Sequence, residues 1–424
     1  MPEIAVPAGI KTKIFILDEN ALAFLPEVHN RLWKDQPVWM IADGNTWKAA
    51  GEKAYSILKN AGISCCEPLI LPAVPKPHPE WELSCRIAEQ IPTGSVPFAI
   101  GSGVINDLVK CAAGIREVTY CCVATAPSVD GYTSSGAALS VAGFKKTVPC
   151  PPPAAVVADS GVLASAPHEM AVAGYGDLAT KVVAGADWII ADMMKEDPIV
   201  PSTWDIVQKD LRSWLEDPAD LEAVFLGLAA TGYSMQCHKD SRPASGAEHM
   251  MSHVWEMEGL SFNGEEVSHG NKVSVGTMVT LKLMQFVIDT PLEEAKRLAG
   301  APASLEEREA ELAGLRKNKP YGKAVCDTAM SKFKHGEDAL LRRKEIWKIW
   351  DELKSVLRKQ LGEPGWLEGK LASSGCPMKP EDIGLDRELF LFGIFTAQLI
   401  RNRYTILDLL YEAGLFKYAV GKLF

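Results

Sequence analysis

The chain has 424 residues, of which 47% are hydrophobic and 23% charged, with a formal net charge of -10. That length suits two hydrophobic cores, and that composition excludes a disordered chain. The acidic balance argues against a nucleic-acid partner, which needs a broad basic face, but leaves room for a small anionic substrate held by a few local cations.

In chain order, short apolar runs first alternate with helix-like stretches. Residues 13–17 form a run ending at Asp18, and residues 38–42 one ending at Asp43-Gly44-Asn45. Residues 97–100 lead directly into Gly101-Ser102-Gly103, and residues 117–124 are apolar and β-branched. Residues 154–159 predict a last strand, after a proline-rich connection at 149–153. Residues 46–60 and 81–89 read as helices between the runs. This alternation predicts a parallel sheet with helices on both faces.

From about Pro167 onward the spacing is helical, notably over 177–191, 221–235, 246–259, 273–286, 338–361 and 385–415. Acidic first turns mark helix starts at Pro291 and Ser304. The expected architecture is α/β plus all-α: an α/β dinucleotide-binding domain over residues 1–165 and an all-helical domain over 166–424. No stretch is long and apolar enough to span a bilayer, and residues 1–8 lack the pattern of a secretory signal. The ten cysteines include two adjacent pairs, Cys65-Cys66 and Cys121-Cys122, and no CxxC. Reduced, buried thiols in a cytoplasmic protein, with no membrane partner, are the expectation.

Residues 101–110 read GSGVINDLVK, after an apolar strand and opening a helix. Small residues there let backbone N–H groups approach a pyrophosphate at a helix N-terminus. The third glycine of GxGxxG is replaced by Asn106, and a tight turn alone would use the same glycines. Asp43, at the end of an earlier strand, either meets an adenosine ribose or caps a helix. Residues 125–135, TAPSVDGYTSS, form a polar loop where ligands meet the carboxyl edge of an α/β sheet. The competing reading is a turn held by Ser128 and Asp130.

Of eight histidines, three fall within residues 249–269. His249 and His253 are four apart, on one helix face, and His269 follows at a Ser-His-Gly turn expected before the next helix. Such imidazoles bind a divalent transition metal when a carboxylate joins them. Without the third histidine, the pair would read as a polar helix face. Asp177, in AGYGDLATK, is expected to open a helix, where it is either that carboxylate or a favourable N-terminal charge.

Together the stretches GSGVINDL, TAPSVDGYTSS, AGYGDLATK, SGAEHMMSHVWEM, SHGNKVSVGT and IRNRYTILDLLYEAG resemble the sn-glycerol-1-phosphate dehydrogenases, most closely the bacterial AraM-type branch. Their order covers roughly residues 40 to 415. The resemblance implies a Rossmann-like parallel-sheet domain followed by a helical metal-binding domain, the dehydroquinate synthase-like fold. It implies NAD(H) or NADP(H) as cofactor, with Gly101, Ser102, Gly103, Val104 and Ile105 at the pyrophosphate. Asp43, Asp107, Thr125, Ala126, Ser128 and Ser134 complete the candidate cofactor set. Asp177, His249 and His269 would hold one divalent metal, zinc, nickel or iron, and Asp130, Asp177 and His253 would meet the substrate. The implied substrate is a small phosphorylated ketone or alcohol, and the implied assembly a homodimer. Val129 stands where the archaeal form of the Asp-Gly motif has asparagine, and residues 191–201 match nothing in the branch.

Two other readings share the fold or the site: a glycerol dehydrogenase or other polyol or phospho-sugar dehydrogenase, and a dehydroquinate synthase-like cyclase. The cyclase would carry more cations around the histidines than Lys239, Arg242 and Lys272. An inactive metal- or nucleotide-binding regulator is the reading from another class, and the intact Asp130, Asp177 and three histidines weigh against it.

Overall fold

The computed structural model describes residues 1–141 and 144–423. It divides into two compact units, Met1–Leu178 with Ser202–Ser241, and Ala179–Pro201 with Arg242–Phe424. A single cut after residue 165 therefore does not describe it. The first unit runs on to Leu178 and takes back Ser202–Ser241, because the latter segment carries a helix that closes its core.

The first unit is built on a six-stranded parallel sheet of β1 (Ile14–Asp18), β2 (Val38–Asp43), β3 (Leu69–Leu71), β4 (Val96–Gly101), β5 (Cys121–Ala124) and β8 (Ala155–Asp159). The order across it is β1-β8-β5-β4-β2-β3. An antiparallel hairpin, β6 (Gly136–Val141) and β7 (Phe144–Pro149), intervenes in the chain before β8.

The helices used below are α1 (Gly103–Ile115), α2 (His168–Ala179), α3 (Lys181–Met193), α4 (Leu221–His238), α5 (Ala247–Met257), α6 (His269–Asp289) and α7 (Ile406–Ala413).

The inner strands are apolar along their length because both faces are covered. Alternate side chains feed two cores. Ile14, Ile16, Met40, Phe98, Ile100, Val123 and Val157 pack on one face. Phe15, Trp39, Ile41, Ala99, Cys122 and Val156 pack on the other, against Ile105, Leu108 and Val109 of α1 and Phe225, Ala229 and Tyr233 of α4. All ten cysteines are free thiols, with Cys121 and Cys122 fully buried in β5.

The chain leaves β2 toward β3 at one edge and leaves β4 toward β5 on the other side. The direction of winding thus reverses between the neighbours β2 and β4. Ligands of open α/β sheets lie outside the carboxyl ends of strands at such a reversal. The residues there are Asp43, at the end of β2, and Gly101, at the end of β4.

The second unit is helical, with a short hairpin of Ser261–Phe262 and Glu265–Glu266. Trp188, Trp255 and Trp350 are fully buried in it. Its two histidine-bearing helices, α5 and α6, pack closely at Gly276, where a Cβ would lie 2.6 Å from the Glu248 carbonyl oxygen. Among the described residues no helix is long and apolar enough to cross a membrane.

Candidate active site and metal centre

The turn after β4 is shaped by close approach. A Cβ on Gly101 would lie 2.5 Å from the Ile105 Cβ, and one on Gly103 would lie 2.7 Å from Val129 Cγ2. Ser102 precedes α1 in extended conformation and makes no side-chain cap bond. A first turn of amides without a side-chain cap at the reversal point suits an anion. Asn106, at the third glycine position, donates to the Gly131 carbonyl (3.3 Å) and accepts from the Tyr120 hydroxyl (3.1 Å). It ties α1 to the Asp-Gly loop, which a glycine could not do.

Lys110 fastens the same loop. Fully buried, it donates to Asp107 Oδ1 (3.0 Å), the Gly131 carbonyl (2.6 Å), Ser134 Oγ (3.1 Å) and the Gly136 carbonyl (2.9 Å). Asp107 Oδ2 accepts from the Ala138 amide at 3.0 Å. Asp107 and Ser134 are thus engaged in shaping the loop. Ser128 Oγ lies 3.2 Å from the Tyr132 hydroxyl, which donates to the Ala126 carbonyl. Thr125 donates its amide to the Gly101 carbonyl, joining the two loops. Asp43 caps the helical turn after β2: Oδ1 accepts from the amides of Asn45 (2.8 Å) and Thr46 (2.9 Å).

Asp177 lies in the last turn of α2, not the first, so the favourable N-terminal charge expected for it does not apply. A fully buried carboxylate near the negative end of a helix dipole is costly unless a cation or donors offset it. One offset is the Asp130 amide, which donates to Asp177 Oδ2 at 3.0 Å. Gly174 makes this approach possible: a Cβ there would lie 1.7 Å from the Pro127 carbonyl oxygen.

In the second unit the three imidazoles cluster. Ring centroids are 5.1 Å apart for His249 and His269, 6.4 Å for His249 and His253, and 6.0 Å for His253 and His269. His269 is the first residue of α6, after Ser268, whose hydroxyl accepts from the Asn271 amide. Gly270 is inside that helix rather than in a turn. Burial pushes His253 down to about 4, against the opposing pull of Glu256, whose Oε2 is 3.7 Å away. His253 is therefore neutral at pH 7.

Two buried carboxylates stand behind His249. Glu248 Oε1 lies 2.8 Å from His249 Nδ1 and accepts from the Gly246 amide at 2.7 Å. Asp187, on α3, accepts from the amides of Ala247 and Ile406, both at 2.7 Å. Burial, then the charge of Glu248, pushes Asp187 up to about 8. A carboxylate accepting from Nδ1 leaves Nε2 as the lone-pair nitrogen, which is the condition a metal-binding imidazole must meet. The donor chemistry thus fits a resident divalent cation. Neither Lys110, Asp187 nor Glu248 stands out as a site residue in the sequence. Glu248 adjoins His249 in the motif, but residues one apart on a helix do not ordinarily face each other.

A family model described as iron-containing alcohol dehydrogenase matches residues 16–167. The solved iron-containing alcohol dehydrogenase of Thermotoga maritima has the same fold, with a TM-score of 0.58 at 12% identity, covering 98% of this chain and 100% of that one. The fold class is therefore that of the iron-containing alcohol dehydrogenases. Among sequence relatives, a glycerol-1-phosphate dehydrogenase, NAD(P)+, of Halalkalibacterium halodurans is 33% identical over 277 residues, 62% of this chain and 68% of that one. One from Geobacillus thermodenitrificans is 29% identical over 394 residues, 90% of this chain and 88% of that one. The chain belongs to the glycerol-1-phosphate dehydrogenase family.

Proposed function

We propose that the chain is a metal-dependent, NAD(P)-linked oxidoreductase that interconverts sn-glycerol 1-phosphate and dihydroxyacetone phosphate. The observation that carries this reading is the donor set of Asp177, His249 and His269, one carboxylate and two imidazoles in a chain of this family. Zinc, nickel and iron all accept such a set. When bound, the ion supplies Lewis-acid polarisation of the carbonyl and the nicotinamide supplies or accepts the hydride.

The chain's own residues do the rest. Amides from Gly101 through Ile105 bind the cofactor pyrophosphate at the start of α1. Asp43, which uses Oδ1 in its cap, turns the remaining oxygen to the adenosine ribose. Thr125, Ala126 and Ser128 line the nicotinamide end of the cofactor, on a loop whose shape Asp107 and Ser134 help Lys110 to keep. Asp130 orients a substrate hydroxyl. His253, neutral at working pH, takes the hydroxyl proton on a ring nitrogen in oxidation and returns it in reduction. The first unit serves the cofactor and contributes Asp130 and Asp177, and the second holds the histidines that serve metal and substrate. A cytoplasmic homodimer belongs to the same reading and is supported by the family resemblance.

The test is to strip the protein of metal and add back zinc, nickel or iron singly. Oxidation of NADH and NADPH is followed with dihydroxyacetone phosphate beside unphosphorylated dihydroxyacetone. Metal-dependent turnover that strongly prefers the phosphorylated ketone is expected. Turnover confined to the unphosphorylated ketone would make the chain a polyol dehydrogenase, and silence with both would remove the dehydrogenase reading.

A further inference from the structure

The second unit contains a polar assembly behind His249 that plain packing does not require. Glu248 is fully buried, yet it is a carboxylate, and its Oε1 is shared between His249 Nδ1 and the Gly246 amide. Asp187 is equally buried and joins the first residue of α5, Ala247, to the first residue of α7, Ile406, through one oxygen each. Both carboxylates crowd Gly246: a Cβ there would lie 2.5 Å from Asp187 Oδ2 and 2.8 Å from Glu248 Oε2. Arg242 closes the far side, donating to the Asp187 carbonyl at 2.8 Å.

Burying the Glu248 carboxylate beside Asp187, which keeps its proton up to about pH 8, is expensive, and apolar residues of the same size would hold the three helices together at lower cost. What apolar residues cannot do is choose a histidine tautomer. An imidazole left to itself distributes its proton between Nδ1 and Nε2, and only the nitrogen without the proton can bind a cation.

We propose that Glu248 is a positioning residue for the metal centre, fixing His249 as the Nδ1–H tautomer so that Nε2 is ready for the ion, with Asp187 anchoring the helix end that holds Glu248. This rests on the assignment of His249 as a ligand. Glu248 acts in two ways at once. Its hydrogen bond sets the ring's rotation about the side chain, and its negative charge raises the basicity of the opposite nitrogen. Asp187 acts one step further out. By accepting from Ala247 it fixes the first turn of α5, on which both Glu248 and His249 stand, and by accepting from Ile406 it ties that turn to α7.

The experiment uses the full chain and cobalt(II) alone as probe. Nitrogen-15 spectra of the metal-free wild type should show His249 with its proton on Nδ1, assigned by loss of the signal in His249→Ala. Cobalt titration, followed by its ligand-field absorption, should show roughly 10–100-fold weaker binding for Glu248→Gln, and weaker still for Glu248→Ala. Asp187→Asn should weaken binding less than Glu248→Ala, because it loosens the support and leaves the carboxylate in place.

A role confined to packing predicts the opposite pattern: Glu248→Gln, which keeps the volume, would bind cobalt as tightly as the wild type. That result, or a wild-type His249 with its proton on Nε2, overturns the inference. The wild-type spectrum needs no variant, so the proposal stays open to refutation even if a substitution prevents folding. Failure of the wild type itself to bind cobalt would instead remove the metal reading on which the inference stands.

Discussion

The two units present their candidate residues in different ways. At the carboxyl edge of the sheet in the first unit, side chains hold the loops in shape and leave the amides at the start of α1 without a side-chain cap. Asp43 caps a turn, Asn106 and Lys110 bind the Asp-Gly loop to α1, and Gly101, Gly103 and Gly174 clear space for close approach. In the second unit the helices are ordinary and the side chains are special. Three imidazoles sit together, one of them backed by a buried carboxylate and one held neutral by burial. A dinucleotide's phosphates ask for amides, which any residue supplies once the turn is right. A cation asks for particular lone pairs, which only a few residue types supply. The side chains of the first unit are therefore chosen for the loop shape they hold, and those of the second for the lone pairs they carry.

Asp177→Ala should cost the protein most. Asp177 is a first-unit residue whose side chain, on this reading, is itself a ligand. The variant should lose bound metal, measured by elemental analysis after dialysis, and turnover should fall to background. An active, metal-loaded Asp177→Ala protein would take Asp177 off the ligand set and leave it as the acceptor of the Asp130 amide. Lys110→Met sharpens the contrast from the other side. It removes a fully buried cation and the donor that Asp107 Oδ1 shares with two loop carbonyls, which should cost about 3 kcal/mol in denaturant unfolding. The Michaelis constant for NAD(P)H should rise several-fold while metal content stays at the wild-type value. Metal loss in Lys110→Met would show that the loop clasp serves the metal as well as the cofactor.

The inner strands were legible because a strand buried on both faces must be apolar throughout, and the runs at residues 38–42 and 97–100 are. Leu69–Leu71 carries no clear strand signal because it is a three-residue edge strand, half exposed. The hairpin β6–β7 is as faint, because residues 136–141 carry only a partial alternation and lack a strong turn signal. The return of Ser202–Ser241 to the first unit could not be read at all, since helical spacing says nothing of which core a helix joins. At the site, the histidine trio was legible from its density in a histidine-poor chain. The helical position of Asp177 is hidden in the sequence because Gly174 and Gly176 look like a turn. Gly174 is glycine for a long-range reason, the Pro127 carbonyl beside it, which local pattern cannot show. Lys110, Asp187 and Glu248 matter through partners distant in sequence or facing against helical spacing, and they become visible only in three dimensions.

His253→Gln should change the protein least and tests whether burial sets the protonation of the histidine cluster. In the metal-free folded protein its proton affinity is depressed to about 4 from an ordinary 6.5. Between those values the unfolded chain binds more protons than the folded one. Stability from this residue is thus fully present above pH 6.5 and is lost as pH falls toward 4. Glutamine keeps a polar side chain there and cannot titrate. His253→Gln should therefore flatten that part of the stability profile of the metal-free protein, measured as unfolding midpoint against pH, and leave the region above pH 7 unchanged in slope. A wild-type profile that is already flat in that window would mean that His253 binds a proton as readily in the folded chain as in the unfolded one. Burial would then not be what sets the protonation state of His253 in the histidine cluster.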